Sequence, residues 1–108
     1  TIVLLNNGTL GMVRQMQSLF RKGRHANTTL DRRVDYVALA QATGTEGTRV
    51  DTIEDFERAL AESLSADGPT LIECPIGIDE FVTPVLQIGA SMDDLIVNMD
   101  DVRARMGR

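Results

Sequence analysis

The chain has 108 residues, 43% of them hydrophobic and 25% charged, with a formal net charge of −5. That length holds one domain with a single core of modest size. The acidic balance argues against a nucleic-acid or anionic-membrane surface, which needs clustered Lys and Arg, and the apolar runs fall far short of the ~20 residues that a membrane helix requires. Cys74 is the only cysteine, so an internal disulfide and a cysteine-built zinc site are excluded. It sits in the apolar run "TLIECPI" and reads as a small buried hydrophobe. No signal peptide is visible, and a cytoplasmic protein is the simplest reading.

In chain order, "TIVLL" is an apolar run without alternation, the pattern of a strand buried on both faces. From Gly11 the period changes: Met12, Val13, Met16, Leu19 and Phe20 fall on one face of a helix that Gly23 ends. "GRHANTTLDRR" is polar and irregular, hence a loop. Asp35 caps a short helix carrying Tyr36, Val37, Leu39 and Ala40, which Gly44 stops. "TRVD" makes a short strand. Thr52 with Asp55 is a capping-box pattern, and the helix it starts has Ile53, Phe56, Leu60 and Leu64 as its buried stripe. "DGP" turns the chain into the strand "TLIEC", which Pro75 either ends or confines to an edge, since proline cannot donate to a ladder. A loop rich in Pro, Gly and Ile follows ("GIDEFVTPVLQIGAS"), then a charged tail with Met99, Val102 and Met106 at helical spacing.

The expected order is β–α–α–β–α–β followed by a tail. Helices alternating with short apolar strands specify an α/β fold, a three-layer α/β/α parallel sheet with right-handed crossovers. Three parallel strands make a sparse sheet, because such sheets are normally covered on both faces. The chain therefore reads as the second part of a larger α/β domain, and Thr1 as the start of an excised piece.

In open parallel sheets, ligands bind beyond the carboxyl ends of the strands, and Asn6 and Asn7 stand there on the first strand. An Asn amide is neutral and offers a carbonyl oxygen and N–H donors. That suits Mg²⁺ already neutralised by a diphosphate, an ion that takes oxygen ligands and few protein charges. Gly8 permits a tight turn that lets the Thr9 main-chain carbonyl point at the ion, and the helix from Gly11 adds an N-terminus favourable to phosphate. Asn-Asn-Gly after a strand is equally the pattern of an ordinary turn and helix cap.

"LLNNGTLGMVRQMQSLF", "GRHANTTL", "DYVALAQATG", "GTRV", "DGPTLIE" and "GASMDDLI" together resemble the C-terminal part of the acetolactate synthase (acetohydroxyacid synthase) catalytic subunits, a branch of the thiamine-diphosphate enzymes. The resemblance covers nearly the whole chain in unbroken order. It implies that residues 1–108 are the C-terminal part of a thiamine-diphosphate-binding domain, with a lid or tail segment at about 77–108. It also implies that Asn7 ligates Mg²⁺ through its side chain and Thr9 through its backbone carbonyl. Gly8 and Leu10 would lie beside the diphosphate; Gly11, Met12 and Val13 would line the cofactor and substrate cavity, with Met12 near the reacting centre. The implied reaction is decarboxylation of pyruvate and ligation to a second 2-ketoacid, toward branched-chain amino acids. The implied assembly is a homodimer or tetramer of the whole enzyme, with room for a regulatory subunit. The Gly-Asp-Gly metal ligand, the activating glutamate and an FAD-binding domain would all lie outside these residues, so no catalytic residue is assigned here and the isolated chain is expected to be inactive.

Two places depart from the family pattern. Met16 stands where most relatives carry Trp in the helix lining the substrate channel, and Met lacks a flat stacking face. Thr83-Pro84-Val85 occupies the place of a Tyr-Pro-Met run in the lid. His25, the sole histidine, reads as a surface loop residue with nothing nearby to orient it, and Arg21, Lys22 and Arg24 as a solvated basic cluster. Glu46, Glu54, Asp55, Glu57 and Glu62 read as a solvated helix face. The alternatives are a sister carboligase or 2-ketoacid decarboxylase such as glyoxylate carboligase, and a non-catalytic interaction or regulatory domain of the same fold.

Overall fold

In the computed structural model, which describes residues 1–31 and 34–106, the elements run β1 (Ile2–Asn6), α1 (Gly11–Phe20), α2 (Tyr36–Ala42), β2 (Glu46–Arg49), α3 (Ile53–Ser65), β3 (Thr70–Pro75), a 3₁₀ turn at Met92–Asp94 and α4 (Met99–Met106). This is the expected order. Arg32 and Arg33 of the loop, and the last two residues of the tail, lie outside the described residues. The chain forms two compact units, one of Thr1–Asn7 and Asp31–Gly77, the other of Gly8–Leu30 and Ile78–Arg108.

The first unit holds a three-stranded, all-parallel sheet in the order β1-β3-β2. β3 is central: Ile2 to Asn6 pair with Leu71 to Pro75 on one side, and Glu46 to Arg49 with Thr70 to Glu73 on the other. Pro75 ends it, as its missing donor requires, and the next N–H, that of Ile76, closes on the Asn6 carbonyl at 3.0 Å. The sheet packs on α2 and α3, and its core is Val50, Ala59 and Ile72, flanked by Phe56, Leu60 and Cys74.

Several expectations are corrected here. β1 is an edge strand of this sheet, and Ile2 (56% exposed) and Leu5 (63%) are open rather than buried on both faces. The "TRVD" strand lies two residues earlier, because Thr45 and Gly44 close the Schellman turn of α2 on Ala40 and Gln41 and launch the chain directly into pairing at Glu46. Along α3 the buried residues are Ala59 and Ser63, with Phe56 and Leu60 partly buried beside the core, while Ile53 and Leu64 are exposed. Small side chains bring that helix close to the sheet, and the Ser63 hydroxyl bonds those of Thr70 and Thr1. Leu39 is exposed as well.

Capping follows the sequence. Asp35 accepts from the Ala38 N–H at 2.9 Å, and Thr52 from the Asp55 N–H at 3.1 Å. In the second case the Thr52 hydroxyl also donates to the Asp55 carboxylate, which takes the place of the reciprocal backbone bond of a full capping box. Gly47 has a steric reason: a Cβ there would stand 3.0 Å from the Val37 carbonyl oxygen and 3.1 Å from its Cα.

In the second unit α1 packs on α4, and the core is Phe81, Ile96 and Val102 with Leu19, Phe20, Val85 and Met99 around it. The tail is more ordered than its composition suggests. Val85 and Ile96 exchange both backbone hydrogen bonds, and the 3₁₀ turn carries a capping box between Ser91 and Asp94. No described helix is long and apolar enough to cross a membrane.

Candidate functional site

Asn6 and Asn7, both half-buried, end the first β-strand at its carboxyl end, where the pattern placed them. Their neighbourhood within the first unit contains a residue the sequence reading passed over. Glu73 on the central strand is 4% exposed, and its Oε1 accepts from Asn6 Nδ2 at 2.6 Å. A carboxyl group inside a strand is tolerated only with such a partner. The signal was a lone charge within the apolar run "TLIEC".

On the second unit, Gly8 has φ +65, a left-handed conformation that its missing side chain makes easy. Its carbonyl accepts from Leu30 N–H at 3.1 Å, and Thr9 bridges to Thr29. Thr9 is buried, its hydroxyl donating to the Thr28 carbonyl at 2.5 Å, an oxygen that also receives the Leu10 N–H at 2.8 Å. The turn from Gly8 to Leu10 is thus pinned to residues 28–30 from both sides, which fixes where the following helix begins.

α1 is unlike the other helices at its start. α2, α3 and α4 each have a side-chain cap, from Asp35, Thr52 and Asn98, and the 3₁₀ turn has one from Ser91. Leu10 gives α1 no side-chain cap, and its first turn carries no acidic residue. The amides at this end carry the positive end of the helix dipole.

The side chains of α1 are also reversed relative to expectation. The buried residues are the polar Gln15 and Ser18, whereas Met12 (65% exposed), Val13 and the preceding Leu10 are open. Met16 is half-buried one turn on from Met12 and Val13, on the face they share, and Gly11 is half-buried too. Only Leu19 and Phe20 join the core, so the expected single apolar face is corrected to a split one. The polar groups turned inward are satisfied. Gln15 pairs with Val82, and Ser18 bonds His25 Nε2 at 2.8 Å. His25 is therefore oriented, contrary to the sequence reading, but by a buried hydroxyl that faces no solvent. Arg21, Lys22 and Arg24 are exposed, as expected.

Cys74 is partly buried, and desolvation first, then the charge of Glu73, push its thiol above the ordinary value, which opposes thiolate chemistry. Among the described residues no group of three or more His, Cys, Asp and Glu is placed to hold a metal ion.

Residues 1–74, from β1 into β3, match the family described as thiamine pyrophosphate enzyme, C-terminal TPP binding domain. The chain is 41% identical over 95 residues to the acetolactate synthase isozyme 2 large subunit of Escherichia coli, covering 88% of this chain and 17% of that protein. It is 37% identical over 99 residues to the acetolactate synthase of Mycobacterium leprae (87% and 16%). It is 37% identical over 95 residues to the mitochondrial acetolactate synthase catalytic subunit of Saccharomyces cerevisiae (88% and 14%). The chain spans about one sixth of the length of these relatives. A parallel α/β sheet whose first strand ends in paired asparagines, followed by a glycine turn and an uncapped helix, is what that match covers, and the chain belongs to the thiamine pyrophosphate enzymes through their C-terminal TPP-binding domain.

Proposed function

We propose that this chain is the C-terminal part of the cofactor-binding domain of an acetolactate synthase catalytic subunit, with Mg²⁺ and thiamine diphosphate held at the segment from Asn7 to Val13. The observation that carries this reading is the start of α1: an uncapped helix end beside open Leu10, Met12 and Val13, with the polar Gln15 and Ser18 turned inward. A helix that only packed in a core would present the opposite pattern. An open apolar surface beside a helix N-terminus suits a ligand with a diphosphate at one end and an aromatic body at the other.

The donor set fits the ion. Asn7 offers a neutral amide and Thr9 a main-chain carbonyl, hard oxygen ligands of the kind Mg²⁺ takes while phosphates supply its charge. Gly8 fits too, since nothing lies within 4 Å of where its Cβ would stand and the backbone can be approached closely. Bound thiamine diphosphate would supply the carbanion-stabilising chemistry that decarboxylation of a 2-ketoacid needs. This chain's own residues bind and orient: Asn7 and Thr9 hold the cation, Gly8 and Leu10 border the diphosphate, and Gly11, Met12 and Val13 line the cavity with Met16 further along the channel. The 2-ketoacid substrate, the oligomer, any FAD or regulatory subunit, and a cytoplasmic setting belong to the longer protein in the same reading. The names of the relatives favour acetolactate synthase over a sister carboligase.

The test is Asn7→Ala in the longer protein that carries this chain. Loss of an oriented ligand should raise the Mg²⁺ and cofactor concentrations for half-maximal activity by at least about tenfold, with the fold intact by circular dichroism. Unchanged cofactor demand makes Asn7 a turn residue and removes the metal assignment.

A further inference from the structure

Gln15 is 2% exposed on α1, yet it is among the most polar side chains of that helix. Its amide makes two hydrogen bonds to one residue of the tail: Nε2 donates to the Val82 carbonyl at 2.7 Å, and Oε1 accepts from the Val82 N–H at 3.0 Å. The side chain thus does what a neighbouring strand would do for Val82. Val82 has little else to hold it, since its own side chain is 64% exposed. One residue earlier on the helix, Arg14 Nε donates to Asp79 Oδ1 at 2.8 Å, so two consecutive helix residues hold two tail residues three positions apart.

Hydrophobic packing alone does not fix the rotation of α1 about its axis. Leu19 and Phe20 anchor only its C-terminal end, and Met12 or Val13 would gain by turning inward. A planar amide that must meet both a donor and an acceptor has one solution, because a turn of one residue, about 100°, would leave Gln15 and both Val82 groups unpaired. We propose that Gln15 is a positioning residue. Its amide locks the rotation of α1 against the tail, and thereby determines that Met12 and Val13 face outward, with Met16 one turn on along the same face. This deepens the cofactor-cavity reading and rests on it for the meaning of the outward face, but the lock itself is testable without any cofactor.

The experiment is site-resolved amide exchange on the 108-residue chain, comparing the parent sequence, Gln15→Met and Gln15→Glu, with β3 amides as the control for global stability. Gln15→Met keeps the volume and loses both bonds, and protection of the Val82 N–H should fall about tenfold relative to β3. Gln15→Glu should lose protection at pH 7.5 and regain it at pH 5, where a buried carboxyl takes up a proton and again presents one donor and one acceptor. Arg14, next to Gln15 in sequence, and Asp79 and Glu80, three and two residues before Val82, are common to all three chains. A residue that merely filled space would not show that rescue. Val82 protection unchanged in Gln15→Met, a loss shared equally by β3, or a Gln15→Glu chain indifferent to pH overturns the proposal. If Gln15→Met does not fold, the two pH arms of Gln15→Glu decide. Failure here while Asn7→Ala still raises the cofactor requirement would sink the lock and leave the cofactor site standing; the reverse outcome would do the opposite.

Discussion

Asn6→Asp would put two carboxyl groups where a 2.6 Å hydrogen bond now joins Asn6 Nδ2 to Glu73 Oε1. Glu73 is 4% exposed on the central strand, so water is not at hand to replace the amide. Two carboxyls at that separation cannot both ionise, and one of the pair must keep its proton above the ordinary carboxyl values of about 3.9 and 4.3. The folded state then holds a proton that the unfolded chain has released. Stability is therefore unaffected by this term below about pH 4 and falls as pH rises through the raised value. A rise of about two units, the scale seen when carboxylates share a site, removes about 3 kcal/mol by neutral pH at about 1.4 kcal/mol per unit. Asn6→Ala removes the donor without adding a charge and should cost about 1.5–3 kcal/mol. Urea unfolding followed by circular dichroism between pH 4 and 8 reads both. The reasoning fails if Asn6→Asp tracks the parent chain across that range, for then the two side chains do not meet in solution.

Gly47→Ala should lower stability by about 1–3 kcal/mol, because the new Cβ would meet the Val37 backbone at 3.0–3.1 Å and Ala40 Cβ at 3.2 Å. A urea midpoint equal to the parent's would show that α2 can give way. His25→Ala should cost about 1–2 kcal/mol by leaving the buried Ser18 hydroxyl without its ring partner; a neutral result would return His25 to the solvated loop. Asp55 has its carboxyl pKa lowered, chiefly by the Thr52 hydroxyl and next by Arg58. A depressed folded-state value stabilises above the unfolded-state pKa of about 3.9 and loses that contribution as pH falls through the folded one. The melting-temperature gap between parent and Asp55→Asn should thus close below about pH 4, and a gap constant from pH 7 to 3 would refute the assignment.

What the sequence revealed and what it hid divide along the range of the interactions. Caps and stops are local: Asp35, Thr52, Gly44 and Pro75 each act within a few residues, and each does what its type predicts. The change of period at Gly11 located α1 for the same reason. Burial is not local. "TIVLL" has the composition of a covered strand, but exposure depends on what lies beside it, and in this sheet β1 is an edge. Likewise, Glu73 and Gln15 find their partners 67 residues away, and nothing in either one's neighbours announces the pairing. The asparagine turn was legible because its pattern is contiguous; the residues that brace it were not.

The same distinction bears on why α1 is built inside out. Burying a Met or Val side chain contributes about 1.5–3 kcal/mol, and leaving both Met12 and Val13 open forgoes it. Burying Gln15 and Ser18 instead gains little, since each hydrogen bond mostly replaces one to water. A helix selected for stability alone would exchange these residues. The arrangement makes sense when the outward face and the uncapped helix end are covered by something that supplies both apolar surface and negative charge. The inward polar residues then have a task that apolar ones could not perform. Leucine at position 15 would pack, but it would not tell α1 which way to face, whereas an amide meeting a donor and an acceptor does. On this chain the polar core holds orientation, and the exposed methionine and valine are the surface that orientation presents.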